Sequence, residues 1–229
     1  MNSSSENRKF FFLNPGEKLP EDIVTKLKQI NDSFSKHSDF SRYKREIKEL
    51  FQIAHIFVTE DSKRFLGGFL EGEASLNVSA KKLTNAKFGL LIDPEFSITQ
   101  HVNGISNLYL ALEVFQTGRI SLKNGSNATM VFKIDNRQNL QQKVVPFYET
   151  YVNRYGSPNK KARVVLFLQL LDLFNQKGHE NLQVFVEKML PIWDKMRMQK
   201  GQSNEAFPDL DTAQRYVKNF WHNKNNNLT

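Results

Sequence analysis

Three glycines and two glutamates are concentrated in one short apolar segment, residues 66–74. The segment continues an amphipathic pattern that begins at Ser62, so it predicts the second half of a helix. Gly68 and Gly72 are four residues apart and therefore share one face of that helix. Each glycine inside a helix costs up to about 1 kcal/mol relative to alanine. Close approach of a second backbone is the usual compensation, so the pattern predicts tight helix packing.

The two glutamates, Glu71 and Glu73, lie at the carboxyl end of the predicted helix, where the helix dipole disfavours negative charge. Carboxylates and the free carbonyls of the last turn are hard oxygen ligands, which suit Mg²⁺ or Mn²⁺ better than zinc. Two such helices packed side by side would bring two acidic sites together, in an arrangement suited to metal-assisted phosphodiester hydrolysis. The spacing alone is equally compatible with an ordinary helix that ends in two solvated glutamates.

The hydrophobic periodicity predicts an α+β fold in which helices cover one face of an antiparallel sheet. Helices are expected over 62–72, 103–115, 140–151 and 160–175, and strands over 75–81, 88–100, 119–123 and 128–134. We assign residues 62–178 to this core, 1–61 to an N-terminal extension and 179–229 to a helical C-terminal extension.

The positive charge of the chain is concentrated in the predicted core. The formal net charge is +8, and residues 62–178 contain fifteen Lys or Arg against eight Asp or Glu. A local basic excess of this kind is typical of proteins that bind a polyanion. The chain has no cysteine, which excludes thiol nucleophiles and disulfides, and we find no phosphate-binding glycine loop. We therefore expect an intracellular protein that uses no membrane and no small-molecule cofactor.

The segment Leu66-Gly-Gly-Phe-Leu-Glu-Gly-Glu-Ala74 resembles the LAGLIDADG motif, with glutamate at both acidic positions. The order of elements over 62–178 is also that of the LAGLIDADG homing endonucleases. Residues 96–100 resemble the family segment whose glutamine lies near the active site. Residues 99–104 and 135–138 are especially similar to the Ceu-type members, which are encoded by introns in organellar large-subunit ribosomal RNA genes.

The resemblance implies a site-specific endonuclease that acts as a homodimer, because the chain contains one copy of the motif. Such an enzyme binds a long pseudo-palindromic site in double-stranded DNA, with its sheets forming a saddle over the major groove. It would hydrolyse one phosphodiester per strand with a divalent metal, leave short 3′ overhangs and promote intron mobility in a chloroplast or mitochondrion. The alternatives on the same fold are an RNA-binding intron maturase and a DNA-binding protein that does not cleave.

The resemblance also implies the residues of the active site. Glu73 would be the metal-binding catalytic acid, and the carbonyl of Gly72 would be a further metal ligand. Gln100 and Lys161 would lie near the scissile phosphate, with Lys160 and Arg163 as alternatives to Lys161. The position four residues after Gln100, where some relatives have arginine, is Gly104 in this chain, so the basic pocket must be built differently.

Two further sets of residues are expected at interfaces. The dimer interface is expected to contain Leu66, Gly67, Gly68, Phe69 and Gly72. Polar side chains on the outward face of the sheet and on nearby segments are expected to contact DNA, although the same pattern is compatible with a solvated sheet face. These residues are Asn77, Ser79, Lys81, Lys82, Lys87, Glu95, Ser97, Arg119, Ser121, Lys123, Thr129, Lys133, Lys160 and Arg163.

Overall fold

The structure is a computed structural model that describes residues 12–34, 39–197 and 206–226. In these ranges, no helix is both long enough and apolar enough to span a membrane. The elements in chain order are α1 (Glu21–Ser33), α2 (Phe40–Leu50), α3 (Glu60–Glu73), β1 (Ala74–Lys82), β2 (Leu90–His101), α4 (Ile105–Phe115), β3 (Arg119–Leu122), β4 (Thr129–Ile134), α5 (137–152), α6 (Pro158–Asn175), α7 (182–196) and α8 (Leu210–Asn226).

The four strands form one sheet in the order β1-β2-β4-β3. β3 pairs antiparallel with β4, so that Ile120 lies opposite Phe132. Along β4 every second residue is buried, which is the pattern of a sheet with one face on a core. The combination of helices with an antiparallel sheet confirms the α+β fold predicted from the sequence.

The chain folds as two compact units that are each discontinuous in sequence. The first contains Met1–Ala74 and Ser97–Ile134, and the second contains Ser75–Phe96 and Asp135–Thr229. The boundaries predicted at residues 61 and 178 stay predictions, because this division cuts the chain at other places.

In the first unit, α3 begins earlier than the sequence pattern indicated. Thr59 is the N-cap: its Oγ1 accepts a hydrogen bond from the Ser62 backbone N at 3.2 Å, and Ser62 Oγ accepts one from the Thr59 N at 2.8 Å. This reciprocal pair satisfies two of the backbone donors that a helix start leaves free. The helix ends where Ala74 adopts an extended conformation and begins β1.

The N-terminal extension covers the exposed edge of the sheet in the same unit. β3 is an edge strand, and an uncovered edge leaves backbone groups unpaired. The buried Tyr43 hydroxyl accepts a hydrogen bond from the Ile120 backbone N at 2.7 Å, and Asn31 Nδ2 donates to the Ile120 O at 3.0 Å. Burial raises the pKa of Tyr43, so its hydroxyl stays neutral. Helices α1 and α2 therefore satisfy the outward backbone groups of Ile120 in β3.

In the second unit, the helices pack in sequence order. α6 contacts α7, and α7 contacts α8. Both α5 and α7 contain π-helical turns, at Leu140–Val144, Tyr148–Val152 and Phe185–Met189. Pro146 and Pro191 follow such turns, and because proline has no N–H it interrupts the regular ladder at these points.

We predict that Tyr43→Phe lowers the free energy of unfolding by about 1–3 kcal/mol, because it leaves the Ile120 N–H buried without an acceptor. Urea denaturation followed by far-UV circular dichroism measures this change. The matched control is Tyr155→Phe, since Tyr155 is 80% exposed, and it should change stability by less than about 0.5 kcal/mol. Equal stabilities for the two variants would contradict the role assigned to Tyr43.

Candidate active site and nucleic-acid interface

Glu73 is the last residue of α3, and its side chain is exposed. The last turn of the helix contains no basic residue to offset the two carboxylates at its negative end. The neighbouring Gly72 is also exposed, and a Cβ at this position would meet nothing within 4 Å. An open carboxylate beside an open stretch of backbone offers the hard oxygen donors that Mg²⁺ and similar cations prefer, so these residues fit the predicted metal.

Within the ranges that the structure describes, no three acidic or histidine side chains are grouped closely enough to hold a metal ion. Mg²⁺ does not need such a group, because it retains several waters and is usually bound by one or two carboxylates together with substrate phosphates. A metal site at Glu73 would therefore be completed by oxygen atoms of a bound phosphate.

Gln100 lies at the end of β2 in the same unit, and its conformation depends on Gly104. Gln100 Oε1 accepts a hydrogen bond from the His101 backbone N at 2.9 Å. A Cβ built at Gly104 would lie 2.6 Å from Gln100 Cγ, which is closer than real contacts allow. Gln100 therefore occupies the space that a side chain at position 104 would need. An arginine at this position, as in some relatives, would require a different Gln100 conformation.

His101 was not among the predicted site residues, and the structure places it on an open polar cleft of about 530 Å³. Lys123 and Asn124 from the β3–β4 turn also line the cleft, and so does Glu17 from the N-terminal segment. His101 Nδ1 accepts a hydrogen bond from the Asn103 N at 3.2 Å, so in the neutral ring Nε2 bears the proton. Local sequence patterns could not indicate this cleft, because its walls come from distant parts of the chain.

The three basic candidates at the start of α6, in the second unit, have different environments. Lys161 is exposed, and Lys160 is half-buried in the first helical turn. Arg163 donates to three groups of its own subunit: Nε to the Leu76 O at 2.6 Å, one terminal nitrogen to the Met196 O at 2.7 Å, and the other to Asn77 Oδ1 at 3.3 Å.

These bonds give Arg163 a role that differs from the predicted one. They join α6 to the edge strand β1 and to the end of α7. Burial lowers the pKa of Arg163. Three of the five guanidinium N–H donors are used inside the subunit, so Arg163 is a structural link, and its predicted contact with DNA stays a prediction. Lys161 is the exposed cation of the group.

The face of α3 that could meet a second copy is narrower than predicted. Leu66 and Gly67 are buried in the subunit's own core, Leu66 with 0% exposure, which disfavours their predicted place in the dimer interface. Gly68 and Gly72 are exposed, and a Cβ at either would meet nothing within 4 Å. Next to them, Phe65 and the half-buried Phe69 stack with ring centroids 6.3 Å apart, and Phe65 is 55% exposed.

Most of the residues predicted to contact DNA are accessible, with Ser97 as the clear exception. Ser97 is only 8% exposed although its position in β2 gives it outward parity, so its burial disfavours the predicted contact with bases, which stays a prediction. The exposed members are Ser79, Lys81, Lys82, Lys87, Arg119 and Lys123. The half-buried members are Asn77, Glu95, Ser121, Thr129, Lys133, Lys160 and Arg163.

Several of the exposed cations already have contacts inside the subunit, and those of Arg119 and Lys81 are polar. Arg119 donates to the Phe34 O at 2.6 Å, and its guanidinium lies 5.0 Å from the Phe34 ring centroid. Lys81 forms an ion pair with Asp93 at 3.0 Å, which is worth little at an exposed position and is easily exchanged for a phosphate. Arg119 also lies directly opposite Lys133 in the β3–β4 register. Like charges in this arrangement destabilise a sheet unless an anion lies near them.

The fold and the site together define a class of α+β protein. Its helix α3 ends in an exposed carboxylate and has exposed glycines on one face, and its strands contain exposed basic residues. The family model described as LAGLIDADG endonuclease matches residues 66–170 of this chain. The DNA endonuclease I-CeuI of Chlamydomonas moewusii is 59% identical over 210 residues, which cover 92% of this chain and 96% of that protein. The chain therefore belongs to the LAGLIDADG endonuclease family, and the predicted nuclease class is confirmed.

Solved structures agree with this assignment. The group I intron-encoded homing endonuclease I-CeuI complexed with DNA matches with a TM-score of 0.88 and 58% identity, covering 90% of this chain and 100% of that one. The archaeal intron-encoded homing endonuclease I-Vdi141I complexed with DNA matches with a TM-score of 0.61 and 24% identity, covering 71% and 98% respectively, and supports the fold alone. The predicted similarity to the Ceu-type members is confirmed.

We predict that Gly68→Leu separates dimerisation from folding. The single chain has room for the new side chain, since nothing lies within 4 Å of a Cβ there, and the helix gains a better helix former. A partner helix in close contact would be overpacked by about 1–3 kcal/mol, which raises the dimer dissociation constant by about tenfold to a hundredfold. Analytical ultracentrifugation measures this constant.

The control for this variant is Thr25→Leu, which adds leucine at an exposed position of α1. Its circular dichroism spectrum and its dimer dissociation constant should both match those of the wild type. If Gly68→Leu keeps the wild-type dissociation constant, α3 does not form the dimer interface.

Proposed function

We propose that this chain is a homing endonuclease that binds a long pseudo-palindromic site in double-stranded DNA as a homodimer and hydrolyses one phosphodiester in each strand. The observation that supports this most directly is the geometry of α3. One helix presents the open glycines Gly68 and Gly72 along one face and the exposed carboxylate of Glu73 at its end. Two copies that meet through the glycines would therefore bring both carboxylates to the base of the shared interface.

At each active site, Glu73 would hold a divalent cation, Mg²⁺ or Mn²⁺, together with the backbone carbonyl of Gly72. When bound, such a cation supplies charge stabilisation at the phosphate oxygens and lowers the pKa of water. The Gln100 amide would orient water or the phosphate, and the exposed Lys161 ammonium would act as a point charge beside the phosphate. These roles come from the resemblance, and the accessibility of Glu73 and Lys161 agrees with them.

DNA binding is supported by the charge of the strand residues. Arg119 and Lys133 lie directly opposite each other in the β3–β4 register, which places two positive charges close together on the sheet. Exposed lysines such as Lys87 and Lys123 would set the position of the duplex through its phosphates. Half-buried amide and hydroxyl groups, including Asn77 and Thr129, have the chemistry to read base edges in the major groove.

The remaining parts of the proposal follow from the relatives. I-CeuI is a DNA endonuclease, and its structure is described as group I intron-encoded and complexed with DNA. By extension, we propose that an organellar intron encodes this chain and that cleavage leaves short 3′ overhangs and promotes mobility of that intron. The accessible Glu73 favours this cleaving enzyme over a maturase or a non-cleaving DNA-binding protein, neither of which needs an open catalytic acid.

We predict that Glu73→Gln reduces the rate of DNA cleavage in Mg²⁺ by about a thousandfold or more, because it removes the charge that holds the cation. The Kd for uncleaved target DNA should change by less than about threefold, since a metal carboxylate adds little to phosphate contacts. Single-turnover cleavage of a target plasmid and a gel-shift titration in Ca²⁺ measure the two quantities.

The matched control is Glu149→Gln, which makes the same substitution at an exposed position of α5 and should cleave at the wild-type rate. A second control omits the metal and adds a chelator, which should stop cleavage by the wild type. Cleavage by Glu73→Gln at the rate of Glu149→Gln would refute the catalytic role of Glu73.

We predict that affinity for the DNA target falls steeply with salt. A dimer that neutralises about six to ten phosphates should lose about 10³–10⁵ in affinity between roughly 50 and 200 mM salt. Fluorescence anisotropy titrations across this range give the slope, and Lys87→Ala should make it shallower by about two units, because both copies of the homodimer lose one phosphate contact. A slope near zero would be inconsistent with recognition through the basic sheet.

A further inference from the structure

The C-terminal helix α8 contacts the hairpin loop, which we define as residues 83–89 between β1 and β2. The Tyr216 hydroxyl donates a hydrogen bond to the Gly89 backbone O at 3.2 Å. Gly89 has a φ of +70°, and a Cβ there would lie 2.6 Å from the Phe220 ring. The backbone of Gly89 therefore lies directly against α8, at a distance that only glycine allows.

A second contact with the end of the hairpin loop is made by Phe88, the residue before Gly89. Phe88 is buried, and its ring lies between an aromatic residue of α7 and one of α8. The centroid distances are 5.3 Å to Phe185, in a tilted arrangement, and 5.3 Å to Trp221, edge to face. Aromatic pairs in these geometries stabilise beyond their buried area. The end of the hairpin loop is thus part of the core of the second unit.

The third contact holds Lys82, the last residue of β1. Its ammonium lies 4.7 Å from the Phe207 ring centroid and 5.5 Å from that of Tyr216. Both distances are within the range of a favourable cation–π interaction. The two rings also pack on each other, with centroids 5.1 Å apart. The start of the hairpin loop is therefore held by the same group of aromatic residues as its end.

The hairpin loop is closed by its own backbone and presents polar side chains. The Leu83 N donates to the Gly89 O at 3.0 Å, so this carbonyl accepts from both the loop and Tyr216. Thr84, Asn85 and Lys87 are exposed, and none of the three is needed for packing. Amide and hydroxyl groups suit base edges, and a lysine suits a phosphate.

We infer that α8, together with Phe207 just before it, is a positioning element for DNA recognition, which holds the hairpin loop through Phe207, Tyr216 and Phe220 so that Thr84 and Asn85 discriminate bases. This inference rests on the proposed function. The C-terminal extension then has a specific role in recognition. Base discrimination at the pairs that the hairpin loop contacts depends on α8, whereas discrimination at other pairs does not.

The test compares the full-length variants Tyr216→Phe and Phe207→Leu with the wild type. Tyr216→Phe removes one hydrogen bond and keeps the ring, and Phe207→Leu removes a cation–π surface while keeping an apolar side chain. The control is Tyr155→Phe, at an exposed tyrosine outside the hairpin contacts. Each protein is titrated against a panel of target duplexes in which every base pair is substituted singly, and Asn85→Ala identifies the pairs that the hairpin loop reads.

We expect Tyr216→Phe and Phe207→Leu to lose discrimination by about two- to tenfold at the pairs identified by Asn85→Ala, and to keep wild-type discrimination elsewhere. Hydrogen exchange of the amides in residues 83–89 should become faster in both variants, with no change in the control. Combining Tyr216→Phe with Asn85→Ala should add little further loss, because both substitutions act on the same contact.

Three results would overturn the inference. An even loss across all base pairs would mean that α8 only stabilises the fold. Full additivity in the double variant would mean that Tyr216 acts independently of the hairpin loop. Unchanged discrimination and unchanged hydrogen exchange would mean that the contacts of α8 do not position the loop. A wild-type protein that binds all duplexes equally would instead refute the proposed function itself.

Discussion

The packing of one face of α3 against α4 is the contact from which the site is built. Leu66 and Leu70 are fully buried, so the rotation of the helix about its axis is determined by the subunit's own core. With those two leucines inward, Gly68 and Gly72 must lie on the accessible surface, and Glu73 must emerge where the helix ends. The orientation of the proposed catalytic acid is therefore a consequence of hydrophobic burial, and it requires no dedicated contacts in the active site.

The two edges of the sheet are covered by different parts of the chain. In the first unit, Tyr43 and Asn31 of the N-terminal extension satisfy the backbone of β3. In the second unit, Arg163 donates to a carbonyl of β1, and α8 packs on the loop that follows β1. Edge strands with unpaired groups promote aggregation, so these contacts protect the folded chain as well as ordering it. A sheet whose edges are occupied in this way keeps its outward face available for a ligand.

The features predicted correctly from the sequence are those that depend on local periodicity. The order of helices and strands, and the placement of Gly68, Gly72 and Glu73 on an accessible part of α3, follow from spacing along the chain. The features that were missed depend on partners far away in sequence. Arg163 is a basic residue close to two lysines, and nothing local indicates that its donors bind the carbonyls of Leu76 and Met196.

Ser97 illustrates the same limit on a strand. The alternation of side chains along β2 assigns Ser97 to the outward face of the sheet. This alternation gives only the direction of a side chain, and it does not show what other residues cover that side chain. Lys82 is a related case, because its polar character suggested a phosphate contact, whereas its ammonium lies over the rings of Phe207 and Tyr216. The distances that create these contacts exist only after the chain has folded.

The pairing of Gln100 with Gly104 indicates how a site of this family can change its basic residues without changing its fold. Because the Gln100 side chain fills the space beside Gly104, a larger residue at 104 and this Gln100 conformation exclude each other. Under the proposed function, positive charge near the phosphate would then come from other elements, and Lys123 on the β3–β4 turn and Lys161 at the start of α6 are both exposed. Long, flexible lysines on separate elements can replace one arginine near the end of β2, since a phosphate needs nearby charge more than it needs a particular backbone position.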